Sequence, residues 1–377
     1  MRGPEDLLAW RAEFPAVENR TFLGMHTLAP LSRRARAAVD RFLDAWETKA
    51  SAEVVWFEDI LPEMRRLESL YARLIGADDD EIALTPSVST GLSSLASCIR
   101  FDERNEIVLS RKEFPTDCHV WLAQEERGGH VVWVDDMRAD SYLNAIGSRT
   151  AVCSASRVSY LNGELLDAKK VVDACRDAGV FSVIDDFHGS ATVLIDVHNL
   201  GTDALVAGPL KYMLGGPGIA FVYVRAGVAH TLKPTVTGWF SQANFFEFDN
   251  AKLSWPDNAQ RLALGTPSPA AIYAAAAGLE IILEVGVARI RERTQELIDY
   301  ALAKADDAKF STRTPRDSAR RGGIATIEVE SSKHVLEQLL KRGVIIDERH
   351  GALRLSPSFY TSEDDIDRFF EELVAVQ

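Results

Sequence analysis

From residue 82 onward the chain alternates short apolar runs with longer stretches that mix apolar and polar positions. The runs fall at 82–84, 106–109, 131–134, 151–154, 181–184, 204–207 and 219–224. Each has the length of a strand buried on both faces, and most intervals, the last two excepted, read as helical crossovers. The pattern predicts an α/β fold with a mainly parallel, doubly wound, seven-stranded sheet flanked by helices. Ahead of it, apolar residues at spacings of three and four predict helices over 31–46 and 61–75. Gly76 supplies the stop of the second.

The pattern changes after residue 267. One long helix is predicted from 269 to about 304, then a strand at 324–330, a helix at 332–342 and strands near 344–347 and 353–355. Thr361 and Ser362 cap a last helix whose first turn carries Glu363 and Asp364. This succession describes a smaller α+β domain, completed by the N-terminal segment. The expected limits are 1–50 for that segment, 51–267 for the large domain and 268–377 for the small one. Residues 313–323, rich in charge and glycine, read as an exposed loop.

Charge narrows the partners. The formal net charge of -14 and the lack of a long basic run argue against nucleic acid or an anionic membrane as partner. Residues 1–14 mix charged and apolar positions, unlike a signal peptide. The most apolar stretch, 270–288, contains Glu280 and Glu284, so it reads as a buried helix and not a membrane span. A cytoplasmic location is expected. Cys98, Cys118, Cys153 and Cys175 form no CxxC pair and read as small buried residues, with no disulfide framework and no metal expected.

Several residues stand where chemistry is done in such sheets. Lys211 follows the apolar run 204–207 and precedes Gly215-Gly216-Pro217-Gly218, a place where a lysine is desolvated into a nucleophile able to hold an aldehyde cofactor. Asp185 ends the run 181–184, where a carboxylate faces the ligand crevice and can keep a pyridine nitrogen protonated. Asp186 and Asp196 are its rivals, and a helix cap is an equal reading of Asp185 itself. His188 lies three residues on. Thr85-Pro86-Ser87-Val88-Ser89-Thr90-Gly91 opens an apolar helix whose free amides and hydroxyls suit a phosphate, or serve as a plain cap. Phe114 offers a wall for an aromatic ring, or is core. Arg354, inside Ala352-Leu353-Arg354-Leu355, suits capture of a carboxylate, or lies on an open strand face.

Taken in order, these segments resemble the kynureninase branch of the class V aminotransferase superfamily, fold-type I enzymes that use pyridoxal 5′-phosphate. The pieces run from Phe22-Leu23-Gly24-Met25-His26-Thr27-Leu28 through the Ser89-Thr90 turn and Phe114-Pro115-Thr116-Asp117. They continue with Asp185-Asp186-Phe187-His188, Lys211-Tyr212, Gly238-Trp239-Phe240, Gly265-Thr266-Pro267 and Leu353-Arg354. The resemblance implies Lys211 as the Schiff-base lysine and Asp185 as the ring-nitrogen partner. It also implies Ser89 and Thr90 at the phosphate, Phe114 stacked on the ring, and Asp117, Ser156 and His188 around the cofactor. Arg354 would hold the carboxylate of an amino-acid substrate. Trp239 and Thr266 would reach the neighbouring site of a homodimer.

The chain departs from the kynureninase pattern at two positions. Leu210 stands where that pattern has a tyrosine before the lysine, and Phe187 where it has an alanine against the ring. The leading expectation is cleavage of a bond at the substrate β-carbon, by a lyase or hydrolase. A transaminase, an epimerase or another β-modifying enzyme of secondary metabolism is the alternative, and a catalytically silent binding protein a third. Related desulfurases need a cysteine in the C-terminal part, and none follows Cys175. A dinucleotide oxidoreductase lacks its GxGxxG turn.

Overall fold

In a computed structural model the described residues are 4–377, so the first three residues of the expected N-terminal segment lie outside them. Twelve strands occur among the described residues. They are β1 (Thr21–Phe22), β2 (Ile82–Thr85), β3 (Glu106–Ser110), β4 (His130–Val134), β5 (Thr150–Ser156), β6 (Phe181–Asp185), β7 (Ala204–Ala207), β8 (Ala220–Val224), β9 (Ala325–Glu328), β10 (Val344–Ile345), β11 (Asp347–Arg349) and β12 (Ala352–Leu355). The large sheet has seven strands in the order β2-β8-β7-β6-β5-β3-β4. β8 runs antiparallel to both its neighbours, β2 and β7; the remaining strand pairs are parallel. All seven apolar runs of the sequence are strands of this sheet.

The sheet is buried on both faces, and alternation along each strand assigns the faces. Leu205 and Ala207 of β7, with Phe221 and Tyr223 of β8, join the principal core, where Tyr71 stacks on Phe221. Val206 and Val222 face the other way, toward Leu92 and Leu95 of the helix Val88–Cys98. A three-stranded antiparallel sheet, β11-β12-β9, forms the core of the C-terminal part with Leu23, Leu339 and Phe369. β1 pairs in parallel with β10, which brings the N-terminal segment onto this part.

We keep the division at 1–50, 51–267 and 268–377 as a proposal for the domain limits. The β1–β10 pairing supports it. The helices Arg33–Lys49 and Pro269–Val285 also pack on each other and share the principal core, so both outer segments meet the large unit as well.

Three expectations need correction. The single helix predicted from 269 to about 304 is two, Pro269–Val285 and Val287–Asp307, bent by 80°. Gly286, at φ 88° and ψ 128°, breaks it in a conformation open to glycine. The segment 313–323 is exposed only in part, because Arg321 is fully buried and donates to Gln295 and Asp299. Of the four cysteines, Cys153 and Cys175 are buried, whereas Cys98 and Cys118 are half-buried. Among the described residues no single helix is long and apolar enough to cross a membrane. The bent pair meets that measure only together, and its first helix lies in the core.

Candidate active site

The carboxyl ends of β5, β6 and β7 converge on one crevice. Ser156 and Asp185 are register partners at the ends of β5 and β6, and the chain leaving β7 reaches Lys211 four residues later. Glycines hold that loop close to the helix Pro269–Val285. A Cβ at Gly215 would come within 2.6 Å of the Ala275 Cα, and one at Gly278 would collide with the Met213 carbonyl oxygen. The crevice opens into a cavity of about 410 Å³. Lys211, Asp185, His188, Ser156, Ser89, Phe114 and Arg354 all line it. These are seven of the eleven residues expected from the sequence.

Lys211 is the amine of the set. Its Nζ lies 2.8 Å from His188 Nε2 and 4.5 Å and 5.7 Å from the ring centroids of Phe187 and Phe114. Burial lowers its pKa to about 8, against the opposing pull of Asp185. A useful fraction of the amine is therefore free near neutrality. His188 is driven well below the ordinary histidine range by burial and by Lys211, so it is a neutral acceptor.

Asp185 is buried, and its Oδ1 accepts the Phe187 amide at 2.7 Å. Burial raises its pKa. Asp117 lies behind it, outside the cavity lining, and is pushed well above the carboxylate range by burial and by the charges of Asp185 and Glu113. Its Oδ2 meets no donor among the described residues. The raised pKa values of both carboxyls favour a single negative charge between Asp117 and Asp185. The two rivals have other duties. Asp186 is paired with buried Arg157 through both oxygens, at 2.6 and 2.9 Å, and Asp196 caps the helix Val197–Leu200.

Glu113 was not singled out by sequence reasoning. It is buried, accepts from Tyr142 Oη at 2.8 Å and the Ser156 amide at 3.0 Å, and also bonds the Ser156 hydroxyl. Burial raises its pKa to about 7. Its neighbour Phe114 projects into the cavity and packs edge-on against Tyr160.

At the other end of the cavity stands the N-terminus of the helix Val88–Cys98. Ser87 is its cap, accepting from the Thr90 amide at 3.1 Å. Ser89 is exposed to the cavity and shares a hydrogen bond with Thr116 at 3.0 Å. Thr90 does not line the cavity; its hydroxyl bonds Ser87 at 2.8 Å. Trp239 and Thr266 also lie outside the cavity and are exposed at the surface of the chain.

Arg354 is buried in β12 opposite Asp347 of β11. Its Nε donates to Asp347 Oδ1 at 2.8 Å, its Nη2 to Oδ2, and its Nη1 to the Tyr160 carbonyl. His26 and Arg349 complete this end of the cavity. Neither had been singled out as a site residue, and nor had Asp347. His26 stood in view within Gly24-Met25-His26-Thr27. The signal for Arg349 and Asp347 was the period-two spacing of Asp347 and Arg349, which puts both on one face of a strand.

The model of the family described as Aminotransferase class-V matches residues 29–369. The chain belongs to the class-V aminotransferase family. Pyridoxal 5′-phosphate, the cofactor expected from the sequence, is the cofactor of this family. The chain is 30% identical over 369 residues to the uncharacterized aminotransferase YcbU of Bacillus subtilis (strain 168), covering 97% of each. It is 29% identical to a kynureninase of Burkholderia mallei, over 92% of this chain and 86% of that one. With the kynureninase of Geobacillus thermodenitrificans the identity is 26%, over 96% and 89%. Among solved structures, a cysteine desulfurase from Thermococcus onnurineus NA1 shares the fold at a TM-score of 0.89 and 18% identity, over 100% of this chain and 98% of that one. The cystine C-S lyase C-DES matches at 0.87 and 17%, over 96% and 99%. These likenesses bear out the α/β fold-type I reading.

Proposed function

We propose that this class-V aminotransferase acts on an α-amino acid and cleaves a bond at its β-carbon, as a kynureninase-like lyase or hydrolase. The single observation that carries the reading is Lys211, a partly buried amine 2.8 Å from a neutral histidine in the cavity that Asp185 also lines. The full-length similarity to kynureninases supports the choice of reaction.

The residues fit pyridoxal 5′-phosphate. A cavity of about 410 Å³ lies within the size of cofactor sites. Lys211 is the amine that would hold the aldehyde, and Asp185 the carboxylate that would keep a proton on the ring nitrogen. Ser89 and the first amides of the helix Val88–Cys98 would take the phosphate, with Thr90 positioning Ser87 beside them. Phe114 would cover one face of the ring, and Ser156 would border its edge. When bound, the cofactor supplies an electron sink for a bond broken at the substrate α- or β-carbon.

The chain's own groups divide the remaining work. The Lys211 amine, once displaced by the substrate amine, takes or returns a proton at the α-carbon, a role suited to its lowered pKa. His188, neutral and in contact with Lys211, orients that amine. Asp117, pushed well above the carboxylate range, would leave the charge of the pair on Asp185, the carboxylate that would keep the ring nitrogen protonated. Arg354 faces the substrate carboxylate.

We also propose that the enzyme is a cytoplasmic homodimer. Trp239, Phe246 and Phe248 form an exposed aromatic cluster, with Trp239 and Phe248 stacked at 5.8 Å and Phe57 packed on Phe246 at 5.0 Å. An apolar patch of this kind suits a subunit interface. Trp239 and Thr266, which do not reach the cavity of their own chain, would then serve the partner's.

A second reading, transamination, is favoured by the 30% likeness to YcbU and by Phe187, whose ring narrows the cavity beside Lys211. Incubating the cofactor-loaded enzyme with kynurenine separates the two. Release of anthranilate and alanine supports cleavage. Release of neither, with keto acid formed from another amino acid, sinks it in favour of transamination.

A further inference from the structure

Asp347 sits between two arginines. Its Oδ1 accepts from Arg354 Nε at 2.8 Å and from His26 Nε2 at 2.7 Å; its Oδ2 accepts from Arg354 Nη2 and lies 3.4 Å from Arg349 Nη1. An ionised carboxylate has no proton to give, so Nε2 carries the hydrogen of His26. Burial lowers the His26 pKa to about 4, leaving the imidazole neutral. Burial would raise the Asp347 pKa, but the hydrogen bonds from His26 and Arg354 hold it well below the carboxylate range.

A guanidinium has five N–H donors. Asp347 takes the Nε–Nη2 side of Arg354, and the Tyr160 carbonyl takes one hydrogen of Nη1. One hydrogen on Nη1 and one on Nη2 remain, two donors that a carboxylate can take. Arg354 can therefore hold one carboxylate without giving up Asp347. The charges agree: two guanidinium groups, one carboxylate and a neutral imidazole sum to one positive charge. Arg349 is half exposed at the rim of the cavity, paired with Asp347 on the same strand face.

We propose that Asp347, steadied by His26, is a specificity-determining residue: it aims Arg354 at a single α-carboxylate and fills the place that a second, side-chain carboxylate would need between the two arginines. The substrate class is then an amino acid with an uncharged side chain. This inference rests on the reading of the site as one for an α-amino acid. Acidic amino acids are disfavoured because Asp347 both repels their side chain and occupies its partner guanidinium.

The test uses the full-length enzyme loaded with pyridoxal 5′-phosphate and follows its visible spectrum during titration with L-alanine, L-phenylalanine, L-aspartate and L-glutamate. The wild type is expected to respond to the neutral pair at lower concentration than to the acidic pair. Asp347→Asn should shift that ratio toward the acidic pair by roughly tenfold or more, the scale of a close charge pair in an interface. Asp347→Glu should restore the wild-type preference. Thermal unfolding of each variant establishes that it is folded. A wild type that takes L-aspartate as readily as L-alanine overturns the proposal whatever the variants do, and so does an Asp347→Asn ratio equal to wild type. A loaded enzyme whose spectrum answers none of the four overturns the amino-acid reading itself.

Discussion

At the scale of single residues, the site is a set of buried ionisable groups whose neighbours decide which of them are charged. Burial lowers the pKa of Lys211 and of His188, and burial together with the charges of Asp185 and Glu113 pushes Asp117 well above the carboxylate range. His26 gives this a measurable consequence. Its imidazole titrates near 4 in the folded chain against about 6.5 unfolded, so on acidification the unfolded chain binds the proton first. Its contribution to stability is whole above about pH 6.5 and is lost as the pH falls toward 4, by at most about 3 kcal/mol. Urea unfolding of the cofactor-free protein across this range should show that loss, and His26→Gln should flatten it. An unchanged slope in the variant contradicts the assignment of a neutral, buried His26. At this scale the sequence was partly legible. Lys211 and Asp185 could be read because apolar strands precede them. For Asp347 and Arg349 the local pattern gave only a shared strand face, since their roles arise from pairing with β12, a contact that no local pattern encodes.

At the scale of elements, the strands were the most legible feature and the helix ends the least. A strand buried on both faces leaves an apolar run that little else imitates, and all seven runs became strands of one sheet. The continuous apolar and amphipathic pattern across Gly286 hid a bend of 80°, because periodicity reports the buried face and not the direction of the axis. The bend matters to the site. It lets the helix Pro269–Val285 lie against the loop that carries Lys211, and Gly278 is a place where the two backbones approach closely. A Cβ there would stand 2.6 Å from the Leu214 carbonyl carbon. Gly278→Val should lower stability by about 1–3 kcal/mol and weaken retention of the cofactor, by thermal unfolding and by absorbance after gel filtration. Gly147→Ala, at a glycine with open space around it, is the control expected to change neither. Equal behaviour of the two variants would remove the helix from the account of the site.

At the scale of the whole molecule, the chain alone completes one end of the site better than the other. Lys211, Asp185 and the arginine pair meet within one cavity, while Trp239, part of an exposed aromatic cluster, and Thr266 stay outside it. Sequence resemblance had placed those two residues across a subunit boundary, which periodicity and composition could not do. Phe248→Glu is expected to leave the fold intact and convert a dimer to a monomer on size-exclusion chromatography, with weaker cofactor binding. A variant that stays dimeric, or a monomer that binds the cofactor as tightly as wild type, contradicts a shared site.

The central claim is that Lys211 holds pyridoxal 5′-phosphate over Asp185, and a visible absorbance spectrum of the reconstituted, gel-filtered protein tests it most directly. The expected result is a visible band in the wild type that borohydride abolishes and that is absent from Lys211→Ala. A colourless wild type, or an identical borohydride-sensitive band in Lys211→Ala, would contradict it.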